Sequence, residues 1–502
     1  MKGYIPRFVE ERLEQSIASN LITMVIGPRQ VGKTTLLQQT QEKVEKKQTV
    51  QQGSGGLSFT RNIFTYVLDD IQLRSSLKKD IRYMQKDIEL SLGETLEKTE
   101  QQVYIFIDEV QKMPALFDWI KQVFDSNNEH VKFILSGSSA ISITSVASET
   151  LAGRVEYINV YPFVYSELLE AKTEVKQHFF LDLIALMDSL AGGADNDGSV
   201  DSILSQMSQT AISVDDTVAA LRTYFEKQFP LYHRQLLPVV RESTASVVET
   251  LFYGGLPRVI TTPVQERVRM IKNYIDVYME KEIGTMARNL DLELFGLSLQ
   301  SFAQQNGSTL NINQVSKDVG ISRPSLYKYL DLLENTYLIK KVYPYASGGI
   351  AEEATKSVVM YYLDTGILNN LSYVTSMQEM LRPDVYSRTV GSWVLSTILS
   401  GFSSLVYVPQ ITYWQNYSGH RMDIVFERGA VTFGILFSRP KDPRRYQATL
   451  EKFAEASSKD VVVVFLPFFD SVGMSLAYKA EEIHIESGKR VFTVEVPLQF
   501  LG

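Results

Sequence analysis

A chain of 502 residues, 44% apolar and 22% charged, has an ordinary globular composition and is long enough for about three domains rather than one core. It contains no cysteine, which excludes a disulfide framework and thiolate metal sites, and no run of about 18 apolar residues that would span a bilayer. The formal net charge of −8 argues against wholesale electrostatic capture of nucleic acid but leaves room for a local basic face. Met1-Lys-Gly-Tyr-Ile-Pro-Arg7 lacks a hydrophobic signal core, so a cytoplasmic location with no membrane partner is expected.

Taken in order, Phe8 to Ile17 has helical spacing, and Ile22 to Ile26 is a strand-like apolar run that breaks into Gly27-Pro28-Arg29-Gln30-Val31-Gly32-Lys33-Thr34. This is G-x-x-x-x-G-K-T between a strand and a helix, the context its mechanism demands. Glycines let the backbone turn its N–H groups toward phosphate oxygens, and the following helix start adds its positive end. Residues Gly27 to Thr35 are therefore expected to bind nucleotide, with Lys33 reaching the β- and γ-phosphates and the Thr34 hydroxyl facing Mg²⁺. The polar run from Lys43 to Ser58 reads as a flexible loop insertion.

A second strand, Ile63 to Leu68, ends in Asp69-Asp70 and leads into a charged, helical stretch to about Gln101. The third, Val103 to Ile107, delivers Asp108-Glu109. Asp108 is expected to hold Mg²⁺ through its water shell, and Glu109 to orient and deprotonate the attacking water. A fourth strand, Val131 to Leu135, ends in Ser136-Gly137-Ser138-Ser139 and should lie between the two strands that carry motifs. Ser136 and Ser138 are candidates to sense nucleotide or place water, although Ser-Gly-Ser is also an ordinary turn. Arg154, before a fifth strand Val155 to Val160, is a candidate cation for transition-state charge, within one chain or toward a neighbouring subunit; the alternative is a surface salt bridge.

Tyr4-Ile-Pro-Arg7, the phosphate loop, Leu68-Asp-Asp70, Ile107-Asp-Glu-Val-Gln-Lys112, Leu135-Ser-Gly-Ser-Ser139, Leu151-Ala-Gly-Arg154 and Tyr161-Pro-Phe163 together resemble one family. It is the prokaryotic AAA-type ATPases of the archaeal ATPase clade that carry a C-terminal domain of unknown function. The resemblance is dense over residues 1–165 and recurs to about residue 440. It implies an ATP-binding core with strand order 5-1-4-3-2 and Mg²⁺-ATP as ligand.

Residues 166–290 are helical in pattern, with apolar stripes at Ser166 to Glu170 and Phe179 to Met187, and are expected to form a lid or insert region. Ala191 to Val200 reads as a solvent loop. Its Asp195-Asn-Asp spacing is not a calcium loop, because position twelve falls on Gln206 instead of glutamate. Tyr253-Gly-Gly-Leu-Pro-Arg258 is similar to the family's lid turn, which makes Pro257 a candidate adenine contact; a plain helix-breaking turn is the alternative. Tyr274 to Ile283 resembles the helix after that lid.

Residues 291–350 read as a winged helix-turn-helix: Leu294 to Gln305, Asn313 to Val319, the turn Gly320-Ile-Ser322, Arg323 to Glu334, and a hairpin through Ser347-Gly-Gly349. Arg323, Ser325, Tyr327 and Lys328 are candidates to contact duplex DNA, with Lys340 and Lys341 on phosphates; a structural or protein-docking role is the alternative, since Asp331 and Glu334 share that helix. Residues 351–502 alternate strands and helices, and Tyr413 to Val425 resembles the family's restriction-endonuclease-like region. Asp423 fits its first acid, but Leu436 and Ser438 stand where a glutamate and a lysine belong, and Gly391 where a helix acid would be. A nuclease shape without nuclease chemistry is expected there. His420, Arg421, Arg439, Lys441, Arg444 and Arg445 read as a solvated basic surface or a nucleic-acid contact.

The expected fold class is thus α/β: a P-loop NTPase parallel sheet of the ASCE/AAA type, a helical lid, a winged helix-turn-helix and a C-terminal α/β nuclease-like domain. The expected function is a Mg²⁺-dependent ATPase acting as a nucleotide-driven switch, with an ATP-gated DNA-binding regulator as the alternative, and an active nuclease or a small kinase as weaker readings. Expected partners are ATP, double-stranded DNA, and a protein partner or a second copy of the chain.

Overall fold

The computed structural model describes residues 4–51, 62–138, 150–173, 179–190, 213–230, 234, 238, 247–284, 290–346, 349–350, 358–437, 442–468, 478–485 and 488–501. In the first part, β1 (Ile22–Ile26), β2 (Ile63–Val67), β3 (Val103–Asp108), β4 (Val131–Gly137) and β5 (Val155–Asn159) form a parallel sheet in the order β2-β3-β4-β1-β5. Read from its other edge, this is the order that the resemblance implies. Every residue of β1 and β4 is buried, Thr23 and Lys132 included, as expected of largely apolar central parallel strands covered on both faces. Helices α1 (Val9–Ala18) and α2 (Lys33–Gln51) lie on one face with the Val25, Phe106 and Ile134 layer. Helices α3 (Ile71–Lys79), α4 (Tyr83–Leu92) and α5 (Leu116–Asn127) enclose the other, around Met24, Ile105 and Phe133.

One expectation is corrected here. The polar stretch from Lys43 continues α2 as far as Gln51, and residues 52–61 lie outside the described ones. Lys, Glu and Gln are good helix formers, and α1 supplies their counter-charges: Lys43 Nζ donates to Glu10 at 2.6 Å and Glu14 at 2.9 Å, and Lys47 to Glu14 at 3.0 Å.

In the second half, helices Leu292–Gln304, Ile312–Val319 and Arg323–Asn335 are capped by the side chains of Asp291, Asn311 and Ser322. They lead into β6 (Ile339–Ala346), β7 (Gly349–Ile350) and β8 (Val359–Tyr362). After these come β9 (Thr412–Gln415), β10 (Arg421–Arg428), β11 (Val431–Ile435), β12 (Val461–Phe468), β13 (Lys479–His484) and β14 (Arg490–Pro497). Among the described residues they make a nine-stranded sheet, β13-β14-β12-β11-β10-β9-β6-β7, with β8 on β6. Because β6 pairs antiparallel with β8 and parallel with β9, residue 350 is not a break: one sheet and one hydrophobic core run through it.

The helices expected as a lid mostly cover this second sheet. Phe179 and Phe180, on helix Phe179–Leu190, pack edge-on against Phe465 and Phe426 at 5.3 and 6.3 Å between centroids. Arg428 Nη2 meets Asp188 Oδ2 at 2.6 Å, and Arg222 Nη2 meets Glu482 Oε2 at 2.6 Å. The apolar stripe is a core stripe, but it belongs to the second half. The loop containing Asp195 and Gln206 lies outside the described residues.

The two halves meet at a compact knot beyond β5. Tyr337 Oη donates to Asn159 Oδ1 at 2.9 Å, and Phe163 N donates to Gly255 O at 2.8 Å. Gly255 N donates to Asp364 Oδ2 at 2.8 Å, while Asp364 Oδ1 accepts from Ile367 N at 3.0 Å and so caps helix Thr365–Leu371. Asp364 is 4% exposed. Burial pushes its carboxyl up to about 6, against the pull of the amides of Ile367, Gly255, Gly366 and Leu256. A cavity of about 20 Å³ beside it, room for one water, is lined by Thr250, Thr365, Trp393, Ser396 and Thr397 and holds no charged side chain but that of Asp364. A carboxyl whose folded pKa is raised contributes fully below the ordinary value of 3.8, and the contribution is lost as pH rises through about 6. Urea unfolding is therefore expected to show wild type losing about 3 kcal/mol relative to Asp364→Asn between pH 3.5 and pH 7.5. Parallel profiles for the two proteins would show that this carboxyl titrates normally.

Candidate functional site

The phosphate loop leaves β1 at Ile26 and turns back against the exit of β5. A Cβ on Gly27 would lie 2.2 Å from Val160 O, so only glycine permits that approach. Gln30 at φ 58° and Gly32 at φ 98° bend the chain into α2. Lys33 is 5% exposed, and its ammonium donates to Gly27 O at 2.9 Å and Pro28 O at 2.8 Å, inside the curl of the loop.

The ends of β3 and β4 stand beside it. Thr34 Oγ1 donates to Asp108 Oδ2 at 2.7 Å, and the Ser136 hydroxyl donates to the other oxygen of the same carboxylate. Glu109 follows in the left-handed region at φ 59° and ψ 43°, which turns its side chain away from that of Asp108. Its Oε2 accepts from Gln111 Nε2 at 2.5 Å and from Ser138 Oγ at 3.4 Å, and Gln111 Nε2 also reaches Ser138 Oγ at 3.1 Å. Each acid thus has one of the two serines as a partner.

Around this cluster lies a cavity of about 530 Å³, within the usual size of a small-molecule site. It is lined by Arg29, Gln30, Gly32, Lys33, Thr34 and Thr35 of the loop and the start of α2, by Asp69, Glu109 and Lys112 at the ends of β2 and β3, and by Pro257, Arg258 and Thr261 of the lid turn. Lys112 pairs with Asp69 at the mouth. Pro257 opens the short helix Pro257–Ile260, and its Cγ lies 3.8 Å from where Gly32 would carry a Cβ. The lid turn and the phosphate loop therefore line one cavity.

Arg7 also belongs to this site: the resemblance includes it within Tyr4-Ile-Pro-Arg7 without a role, because its partners lie 24, 154 and 160 residues away. The buried guanidinium donates to Val31 O at 3.1 Å, to Glu167 Oε1 at 3.0 Å and to Tyr161 O, and sits 4.0 Å over the Phe163 ring. Glu167 accepts in addition from Phe8 N and Val164 N, each at 3.1 Å. Gln111 stood in the quoted strand end, but its hold on Glu109 depends on β4 and is not visible in the sequence.

Of the readings open for Arg154, the one within its own chain is set aside, and the salt bridge is present. Arg154 opens β5, its carbonyl accepts from Ile22 N at 2.8 Å, and Ile22 is the first residue of β1. Five residues of strand, roughly 16 Å, separate that edge from the loop, so Arg154 does not reach its own cavity. Its guanidinium forks onto Asp125 at 2.5 and 3.1 Å.

In the second half, Asp423 accepts from Arg421 Nε at 2.8 Å and Phe437 N at 2.9 Å, so both oxygens are taken. Leu436 is buried in apolar core, a Cβ on Gly391 would meet Tyr361 and Phe437, and Ser438, Arg439 and Lys441 lie outside the described residues. Arg421 turns inward, to Asp423 and Gly307 O, and is not part of a solvated basic face. Lys341 Nζ binds Asp331 at 2.7 Å and Glu334 at 2.9 Å, and Lys340 lies 3.6 Å from Glu334. The lysines expected on DNA phosphates are thus balanced by acids of the neighbouring helix.

The model of a family described as an AAA domain matches residues 19–169, which carry the loop, both acids and both serines. Those residues are an AAA domain. A second family model, described as a domain of unknown function (DUF8612), matches residues 244–378. An uncharacterized protein of Mycobacterium tuberculosis is 18% identical over 341 residues, 68% of this chain and 59% of its own length. Uncharacterized proteins of Haemophilus influenzae and Methanocaldococcus jannaschii are 20% and 21% identical, over 65% and 64% of their lengths. The chain therefore spans less than two thirds of each of these relatives. The Aeropyrum pernix ORC2 protein in its ADP form aligns at 12% identity over 68% of this chain and 90% of that chain with a TM-score of 0.29, an overlap too loose to define a common fold.

No helix among the described residues is long and apolar enough to cross a membrane. Because Arg7 and Glu167 are both almost out of water, removing either leaves the other charge uncompensated. Glu167→Ala is expected to cost about 3–5 kcal/mol in chemical unfolding. A loss within about 0.5 kcal/mol would show that the pair does not hold this part of the domain together.

Proposed function

We propose that the protein is a Mg²⁺-dependent ATP hydrolase whose AAA domain acts as a nucleotide-driven switch on the second half of the chain. The observation that carries this reading is the meeting of Lys33, Thr34, Glu109 and Pro257 on one cavity, with Asp108 held behind it by the Thr34 hydroxyl at 2.7 Å. The loop amides of residues 29–34 cradle the phosphates, and Lys33 exchanges the carbonyls of Gly27 and Pro28 for phosphate oxygens. Pro257 and Arg258 line the same cavity and are the residues offered to the base.

A hydroxyl and a carboxylate 2.7 Å apart, with no cluster of three or more acids, histidines or cysteines among the described residues, suit Mg²⁺. That ion takes only one or two protein oxygens and completes its shell with phosphate and water. Thr34 and Asp108 would hold it, and it would neutralise charge on the β- and γ-phosphates. Ser136 keeps Asp108 aimed at Thr34. Glu109 is the base that takes the proton of the attacking water, once its carboxylate leaves Gln111 and Ser138. Arg154 acts across an interface on a second copy of the chain, since it lies at the end of its own sheet opposite the loop. Consumption of ATP favours a cytoplasmic location.

The second reading is a DNA-binding regulator gated by ATP. Three capped helices followed by the antiparallel pair β6 and β7 support a winged helix-turn-helix over 291–350, and Tyr327, 48% exposed, is available on its third helix. The internal pairing of Lys340 and Lys341 weakens that reading, and protein docking fits this face better. Asp423, held by Arg421, argues against nuclease activity. The acidic pair at the end of β3 favours water as phosphoryl acceptor over a kinase substrate.

Phosphate release and nucleotide binding separate these readings. Glu109→Gln is expected to lower turnover at least about 100-fold and to spare ATP binding, whereas Lys33→Ala weakens both. Full turnover in either variant would end the hydrolase proposal. If added duplex DNA neither binds in a salt-dependent way nor changes phosphate release, the regulator reading falls.

A further inference from the structure

Asp364 stands in the second half of the chain, but the groups it holds lead to the phosphate loop. Capping helix Thr365–Leu371 through Oδ1 accounts for half of its carboxylate and for an ordinary local role. Its Oδ2 does something else: it accepts from Gly255 N, 109 residues away in sequence. The fit there is tight. Gly254 sits at φ 74°, and a Cβ on it would lie 2.2 Å from Asp364 Oδ1, so the turn and the carboxylate are pressed together.

Two routes lead on from Gly255. Along the chain, Pro257 lies two residues further and lines the nucleotide cavity together with Gly32. Across the chain, Gly255 O accepts from Phe163 N, the Phe163 ring lies under the Arg7 guanidinium, and Arg7 donates to Val31 O. The routes end on adjacent loop residues, Val31 and Gly32, just before Lys33. The stretch 244–378, matched as one domain of unknown function, contains the turn near its start and Asp364 near its end.

We infer that Asp364 is a positioning residue for the nucleotide site: its carboxylate fixes the Gly254–Pro257 turn, and through it the phosphate loop, to the second half of the protein. The inference rests on the ATPase reading for its effect on turnover, but the mechanical coupling stands apart from it. Ionised aspartate is acceptor-only, and its two oxygens serve two N–H groups from different elements. Asparagine offers one oxygen and turns an NH₂ toward an N–H. Coupling is reciprocal, so nucleotide in the cavity must also change how firmly Asp364 holds Gly255 and Ile367.

The test uses the full chain, wild type and Asp364→Asn, with circular dichroism to confirm folding. In steady-state phosphate release, Asp364→Asn is expected to raise the KM for ATP about tenfold with kcat held within about twofold, because the wall of the site is loosened while the chemistry is untouched. A merely structural defect would lower kcat through loss of active molecules and leave KM alone. Without nucleotide, hydrogen exchange at residues 29–33 and 254–256 should rise about tenfold in the variant and stay unchanged in β3. A folded variant with wild-type KM and wild-type exchange overturns the inference. If wild type releases no phosphate, the ATPase reading fails and the exchange comparison still decides the coupling. Should Asp364→Asn not fold, ATP added to wild type must slow exchange at Gly255 and Ile367; unchanged exchange there, with ATP bound, also overturns it.

Discussion

The geometry of the nucleotide site depends on an ion pair almost removed from water. Arg7 and Glu167 come from segments 160 residues apart, and between them they fix the carbonyl of Val31, the exit of β5 at Tyr161 and the amides of Phe8 and Val164. Such a pair adds little net stability, because desolvation offsets most of the attraction. What it provides is direction. A planar guanidinium with five donors in fixed positions can hold a carbonyl, a carboxylate and an aromatic face at once, and a lysine cannot. Loop amides that must converge on phosphate oxygens gain from being set beforehand, and this pair sets them.

Features whose cause is local are readable from the chain alone. Buried strands announce themselves as unbroken apolar runs, the loop by glycine spacing between strand and helix, and Ser136 and Ser138 by standing at the end of a strand that had to lie between two others. Features whose cause is distant are not. The stretch from Lys43 to Gln51 looks like loop until α1 is known to lie alongside with Glu10 and Glu14. The stripe at Phe179 and Phe180 is visibly apolar, but which sheet it covers is a question of packing. The strand that joins the residues on either side of 350 is set by register, with Tyr343 beside Thr412 and Lys341 beside Met360. Nothing within a short window carries that information.

Charge is where the sequence misleads most, because a sequence shows charges without their partners. Lys340 and Lys341 suggest phosphate contacts until Asp331 and Glu334 are seen beside them. Asp423 resembles a surviving metal ligand until Arg421 is found where a cation would sit. Arg154 suits a developing phosphate charge in type, yet Asp125 holds it at the wrong end of the sheet. In each case the side chain is satisfied within a few ångströms, and the function inferred from its type alone weakens accordingly.

Asp364 runs the other way: backbone amides favour its ionised form, but burial outweighs them and drives its affinity for a proton up. A neutral side chain would cap helix Thr365–Leu371 with less penalty, so capping alone does not account for an acid here. The second acceptor oxygen does, since it reaches the turn that walls the nucleotide cavity. The amplitude of such a link is limited, however. A contact of one or two hydrogen bonds transmits about 1–3 kcal/mol, a factor of about 5 to 150, whereas moving an equilibrium from one state almost wholly to another takes about 10⁴. Nucleotide acting through this knot alone would bias the second half rather than flip it, and a full switch requires further contacts that differ between the states, such as those a partner docked on the second half would supply.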